Sequence, residues 1–178
     1  MQKTSWAIDP SHSEVTFRVK HLMISSVTGK FGTFSGTAQT EGDDFSTATA
    51  SFTAQVGSIH TNDAQRDGHL KSADFFDAEK HPEITFRLNK VSAAGGASEY
   101  NLEGELSIRG VTKNVKLHAE FGGIGKDPWG NTKAGISVTG TINRDDFGLT
   151  WNAALETGGV LVSQEVKINC EIQLLKEK

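Results

Sequence analysis

The sequence holds one cysteine, Cys170, so no internal disulfide can staple the fold. It has no lysine- or arginine-rich run and a formal net charge of −4, which removes the basic stripe that nucleic-acid binding requires. No apolar stretch approaches the ~20 residues of a membrane-spanning helix. The opening Met1-Gln2-Lys3-Thr4-Ser5-Trp6 lacks the apolar run of a signal peptide. The expected location as written is the cytoplasm; a mature periplasmic or secreted chain with an added Met would read the same.

Catalytic signatures are also missing. There is no Gly-x-Ser-x-Gly string, phosphate loop or dinucleotide fingerprint. The six histidines, His12, His21, His60, His69, His81 and His118, form no i, i+2 or i, i+4 pair of the kind that holds a metal on one element. The expectation is a protein that binds, with no cofactor, no metal and no catalytic set.

What the sequence does have is alternation. With 22% charged and 36% hydrophobic residues the chain is globular, and 178 residues make one domain, 1–178, with a substantial core. Period-2 patterns occupy residues 14–21, 32–40, 47–56, 83–89, 99–109, 115–121, 134–142 and 166–174. Successive strand side chains point oppositely, so each segment is a strand with one apolar face. Turn residues separate them, as in Gly42-Asp43-Asp44, Gly95-Gly96 and Asp127-Pro128-Trp129-Gly130-Asn131. Strands joined by short loops are antiparallel neighbours. The predicted fold is all-β, a single eight-stranded antiparallel barrel, because closure leaves no exposed edge.

The shared phase predicts an inward wall of Val15, Phe17, Val19, Phe34, Phe52, Val56, Ile84, Phe86, Leu106, Leu117, Ile136, Val138, Val166 and Ile168. Small residues share that face, including Gly36, Ala38, Ala48, Ala50, Ala54, Gly104, Ala119 and Gly140, and beside Phe these glycines and alanines leave space. Ten Phe against one Tyr add an apolar lining without polar groups. Strands of about 10–12 residues tilted at ~45° make a barrel roughly 25 Å tall. A hollow interior for a long apolar ligand and a filled interior both fit this pattern, since large and small residues also alternate in packed barrels. Cys170 falls on the same inward face, where a buried thiol is inert.

One connection is long, residues 57–82. Thr61-Asn62-Asp63 offers a cap for a helix over residues 64–72, with Asp63 and Asp67 near its positive end. Leu70, Phe75 and Phe76 then point inward as a lid over one end. Arg66 and His69 on this helix can hold a ligand oxygen, or else pin the lid through an Arg–carboxylate pair. His21 ends a strand on the apolar side, at the rim. Phe147 and Trp151 lie in a second irregular stretch, 147–163, and complete the candidate ligand contacts.

Several strings now align with a family. They include His12-Ser13-Glu14-Val15-Thr16-Phe17, Gly29-Lys30-Phe31, Thr61-Asn62, Arg66-Asp67-Gly68-His69-Leu70-Lys71-Ser72-Ala73-Asp74-Phe75-Phe76 and Pro82-Glu83-Ile84-Thr85-Phe86. Gly110-Val111-Thr112-Lys113, Asp127-Pro128-Trp129-Gly130 and Gln164-Glu165-Val166 follow in order. Together they resemble the YceI-like, polyisoprenoid-binding, lipocalin-like barrel family, from Trp6 to about Leu174. The resemblance implies a homodimer whose hollow barrel takes a polyprenyl chain or the isoprenoid tail of a quinone, for transport, storage or sequestration. Against it stand two other readings: an enzyme acting on a lipid within the barrel, and a stress or interaction protein with a filled barrel.

Overall fold

Alternation becomes strand across most of the chain. The computed structural model describes residues 2–153 and 161–178. In chain order the elements are β1 (Lys3–Ile8), β2 (Glu14–His21), β3 (Ser25–Phe31), β4 (Phe34–Glu41), β5 (Asp44–Gln55), β6 (Ile59–His60), helix α1 (Ala64–Lys71), β7 (Glu83–Ala93), β8 (Glu99–Ile108), β9 (Val111–Lys126), β10 (Thr132–Asn143) and β11 (Val162–Lys176). Eight of these close a ring in the order β1-β4-β5-β7-β8-β9-β10-β11, with β11 returning to β1 through Trp6↔Lys176 and Ile8↔Leu174. Every pairing between them is antiparallel. The barrel expected from the alternation is the barrel observed.

The wall differs from expectation near its seam. β1 and β2 share β11: β1 takes its last residues, and β2 runs beside it from Glu14↔Glu171 to Val19↔Val166. Between them a 3-10 turn, Pro10–His12, bends the chain, capped by Asp9. β3 pairs with β2 and leads across Gly32-Thr33 into β4, and β6 adds two residues to the edge of β3. Neither β1 nor β3 stands out in the sequence. β1 has only Trp6 and Ile8 as large apolar residues. β3 carries Gly29 at its centre, a residue that ordinarily weakens strands. Here glycine makes room, because the Phe17 ring of the paired strand lies where a Gly29 side chain would go.

Two apolar clusters close the two ends. At the lid end Val15, Phe31, Phe34, Val56, Ile59, Phe75, Phe147 and Leu149 pack together. At the opposite end Trp6, Ala38, Phe45, Ala134 and Leu174 do so. Trp6 is fully buried and its indole N–H donates to Thr40 Oγ1 at 2.9 Å, while its ring packs 5.0 Å from Phe45, which stacks on Phe121 at 4.9 Å. The turns carry the predicted chemistry. Asp127 accepts from the backbone N–H of Trp129 and Asn131, each at 2.9 Å, and its carboxyl is held below the usual range, chiefly by the Asn131 side-chain amide.

Candidate functional site: an apolar cavity under a polar lid

The interior is hollow. A cavity of about 870 Å³ runs between the two packed ends. Its wall takes every second residue of the strands, as the pleat dictates. Val15, Phe17, Val19 and His21 come from β2, Phe52 from β5, Ile84 and Phe86 from β7, and Leu106 from β8. Leu117 comes from β9, Ile136 and Val138 from β10, and Val166 and Ile168 from β11. The lid contributes Arg66, His69 and Leu70 of α1, then Phe75 and Phe76, and Trp151 completes that end.

Three predicted contacts are not on the wall. Phe34 starts β4, and its ring packs 6.2 Å from Phe52 within the lid-end cluster. Val56 lies where β5 gives way to a 3-10 turn, Val56–Ser58; the two-residue period ends there, and Val56 is buried in packing. Phe147 ends another 3-10 turn, Arg144–Phe147, and is 1% exposed inside the same cluster. At Val56 the 3-10 turn breaks the strand phase, so a residue counted forward from β5 lands off the wall.

The source of the space also differs from expectation. The inward glycines leave no room. Ile8 occupies the place beside Gly36, Phe86 that beside Gly104, and Leu117 that beside Gly140. The space lies beside the alanines instead: Ala38, Ala48, Ala50, Ala54 and Ala119 line the cavity, Ala48 and Ala50 half-buried and the other three buried.

Charge is confined to one end among the described residues, while Thr37, Ser51 and Tyr100 are uncharged polar side chains elsewhere on the wall. The charged side chains that line the cavity are Lys20, Asp63, Arg66 and Arg144, all at the lid end with His21 and His69. The lid is firmly built. Asp63 caps α1 by accepting from the N–H of Gln65 and Arg66 at 3.0 and 3.1 Å. Asp67 is buried and accepts from the Thr61 N–H at 2.9 Å and its hydroxyl at 2.5 Å. Arg66 does not pair with Asp67; it donates to Thr61 Oγ1 at 2.8 Å and to the Thr61 carbonyl at 2.6 Å, and Asp63 is its nearest carboxylate, at 4.0 Å. The lid is thus pinned by Thr61, with Asp67 and Arg66 holding it from two sides. His69 Nε2 lies 2.9 Å from Asp74, and its ring meets Phe75 and Trp151 edge-on at 5.0 and 4.6 Å.

Arg144 escaped the sequence reading. It follows a strand and precedes Asp145-Asp146, a context that reads as a solvated turn. In the fold it is 4% exposed. Its guanidinium donates to the carbonyls of Leu149, Trp151, Val162 and Ser163. These bonds tie the stretch after β10 to the start of β11, and Phe75 of the lid lies 6.0 Å from the guanidinium carbon. Burial pulls its pKa down from the ordinary arginine value. Only the Asn143 cap and Gly148 in the left-handed region hinted at an ordered turn here. Cys170 also lines the cavity, and burial pushes its thiol up to about 11, so it stays protonated at neutral pH. His118, on the outward face, sits 3.6 Å from Glu99, and Trp129 is 82% exposed in the β9–β10 turn. Among the described residues no group of three His, Cys, Asp or Glu side chains gathers in metal-binding geometry, and no helix is long and apolar enough to cross a membrane.

A family model described as a YceI-like domain matches residues 6–174. The chain belongs to the YceI-like family. It is 40% identical over 171 residues to a UPF0312 protein of Staphylococcus aureus, with 96% of each chain covered. The YCEI protein of Campylobacter jejuni matches at 31% identity with a TM-score of 0.77, over 89% of this chain and 90% of that one. The same barrel recurs in Burkholderia cenocepacia BcnA, with a TM-score of 0.80 at 23% identity over 93% and 98% of the two chains. It recurs again in a polyisoprenoid binding domain from Saccharophagus degradans, with a TM-score of 0.71 at 16% identity over 97% and 98%. At those two identities the likeness is one of fold. Within the YceI-like barrel of this chain, the features that give the cavity its character are the alanine wall and the lid built on Thr61.

Proposed function

We propose that the protein holds a long isoprenoid lipid, a polyprenyl chain or the isoprenoid tail of a quinone, inside the barrel without altering it, for transport, storage or sequestration. One observation carries the reading: an apolar cavity of about 870 Å³ whose charged groups all sit at one end. A water-sized group takes roughly 30 Å³, so the space admits on the order of 30 such groups, a chain of several isoprene units. Burying several hundred Å² of apolar chain at ~25 cal/mol per Å² yields on the order of 10 kcal/mol before ordering costs.

Direction follows from polarity. A tail in the alanine-lined middle leaves the head group beside Arg66, His69 and His21. A charged group deeper in would lose its solvation without gaining a partner. Cys170 on the wall stays a neutral thiol, and Arg144 is bonded to backbone carbonyls. The likeness to a polyisoprenoid binding domain supports the same ligand class. A homodimer belongs to this reading, and sedimentation of the purified chain tests it. The ligand is tested by mass spectrometry of organic extracts of the purified protein. The expected result is a prenyl lipid at near one per barrel; protein that extracts clean and takes up no prenyl alcohol from detergent overturns the proposal.

A further inference from the structure

The β2–β3 turn exposes three consecutive apolar side chains, Leu22, Met23 and Ile24, at 37%, 54% and 84%. Isolated exposed apolar residues are ordinary, but a contiguous set on a protruding turn marks a contact surface. This turn is also unusual in its backbone. Leu22 and Met23 adopt φ of 57° and 61°, the left-handed region where glycine or asparagine is the favourable choice. Two bulky apolar residues are thus kept where both solvent and backbone disfavour them, and such an outlier points to a use.

The turn stands at the polar end of the cavity. His21, just before it, and Leu161 and Val162, beside it, line the cavity, and the Leu22 N–H donates to the Leu161 carbonyl at 2.8 Å. Contacts continue around this end from Val162 through Arg144 and Trp151 to His69 of α1. The hairpin that carries the turn is basic, while acidic groups at this end, Asp63 of the lid and Glu165 of β11 among them, lie on neighbouring elements. Residues 15–40 contain Arg18, Lys20 and Lys30 and no Asp or Glu, although the whole chain has a net charge of −4.

We propose that this turn docks the barrel on an anionic lipid bilayer, with Met23 and Ile24 entering the interfacial layer and Lys20 and Arg18, the basic residues of β2 nearest the turn, facing the lipid phosphates. The proposal rests on the reading of the cavity as a holder of apolar chains: such a ligand has negligible solubility in water, so it must pass directly between bilayer and barrel. Apolar tip, basic flank and cavity end coincide at one site, which is what that passage requires. Apolar insertion and electrostatic attraction to anionic lipid act together in interfacial binding of this kind.

The test is co-sedimentation with vesicles of phosphatidylcholine alone and with one-third phosphatidylglycerol. The protein is expected to pellet with the anionic vesicles and to be released by 0.5 M salt. The double substitution Met23→Ser with Ile24→Ser is expected to lose vesicle binding at least tenfold, and Arg18→Glu to lose it on anionic vesicles, while both keep the parent's thermal midpoint and its uptake of prenyl alcohol from detergent. A parent that stays in the supernatant with both vesicle types overturns the proposal, as does a serine pair that pellets like the parent. If the serine pair instead converts a dimer to a monomer and the parent ignores vesicles, the turn contacts a second copy and the proposal is wrong. Ala50→Phe, which fills the cavity, separates the two readings: it should still pellet. A parent that pellets but carries no lipid leaves the docking standing and removes the cavity reading.

Discussion

Replacing Ala50 by phenylalanine should abolish lipid binding and leave the barrel folded. Ala50 pairs with Ala38 on one side and Leu88 on the other, all three line the cavity, and its own side chain is only half-buried because it faces the void. A phenylalanine side chain presents ~150–250 Å² of surface. If it displaces the ligand from roughly 100–200 Å² of wall, at ~25 cal/mol per Å² the loss is ~2.5–5 kcal/mol, two to three decades or more in Kd. The ring meets space rather than packed neighbours, so unfolding free energy should change by less than ~1 kcal/mol. Gly104→Ala is the contrasting perturbation. Its new methyl would collide with the Arg87 carbonyl oxygen of the paired strand and lie 2.7 Å from the Phe86 ring, in a place that is already full. That substitution should cost ~1–3 kcal/mol of stability, the ordinary consequence of overpacking. The assay pairs urea unfolding with titration of a fluorescent prenyl probe for both variants. If Ala50→Phe unfolds the barrel by 3 kcal/mol or more, or binds the probe like the parent, the cavity is not the ligand site.

Cys170 offers a chemical probe of the same space. With its thiol pushed up to about 11 from 9.0, its thiolate fraction at pH 8 is roughly a hundredfold below that of a free cysteine, so maleimide labelling should be slow and slower still once prenyl alcohol is bound; fast labelling indifferent to ligand contradicts the placement. Asp67→Asn keeps the shape of the Thr61 contact but removes the charge that strengthens it, and should lower stability by ~1.5–3 kcal/mol and speed ligand release, read by thermal melting and stopped-flow exchange. Asp9 is held well below the usual carboxylate range, first by the Ser11 hydroxyl, then by His12 and Lys133. A depressed folded-state pKa stabilises the fold above the unfolded value and loses that contribution as pH falls. Asp9→Asn should therefore be destabilised at pH 7, with the gap to the parent narrowing steadily below pH 4.

The ring of strands was legible because nearly every wall strand repeats an apolar residue at every second position over seven or more residues. That rhythm assigns face and strand at once, as in Tyr100, Leu102, Leu106 and Ile108 of β8 and Val166, Ile168, Cys170 and Ile172 of β11. The capped lid was legible from Asp63 and the paired Phe75-Phe76. β1 and β3 were hidden because their stability comes from partners distant in sequence. Trp6 is buried against Phe45 and bonded to Thr40, and Gly29 makes room for Phe17. No local pattern encodes either contact. Arg144 was hidden for the opposite reason. Its burial is made tolerable by carbonyls of residues up to 19 positions away, and a charged side chain satisfied that way looks, in sequence, like any surface arginine. The inward glycines were identified as facing the interior but misread as empty, because composition cannot say which neighbour leans across a missing side chain.

That misreading bears on how the barrel stays open. A cavity of this size forfeits packing that a filled core would gain, and cavity terms of ~20 cal/mol per Å² of surface make such a loss large. The fold places its dense packing elsewhere. Around the lid, Phe31, Phe75, Phe147 and Ile59 form one plug; around the far end, Trp6, Phe45 and Leu174 form another. The glycines let Phe86, Leu117 and Ile8 lie close against neighbouring strands, which tightens the wall itself. The middle is then free to carry alanine, a residue that leaves room and contributes little packing. Stability resides in the two plugs and the wall, and binding in the space between them, so substitutions of the middle alanines act on ligand capacity while substitutions of Trp6 or Phe147 act on the fold.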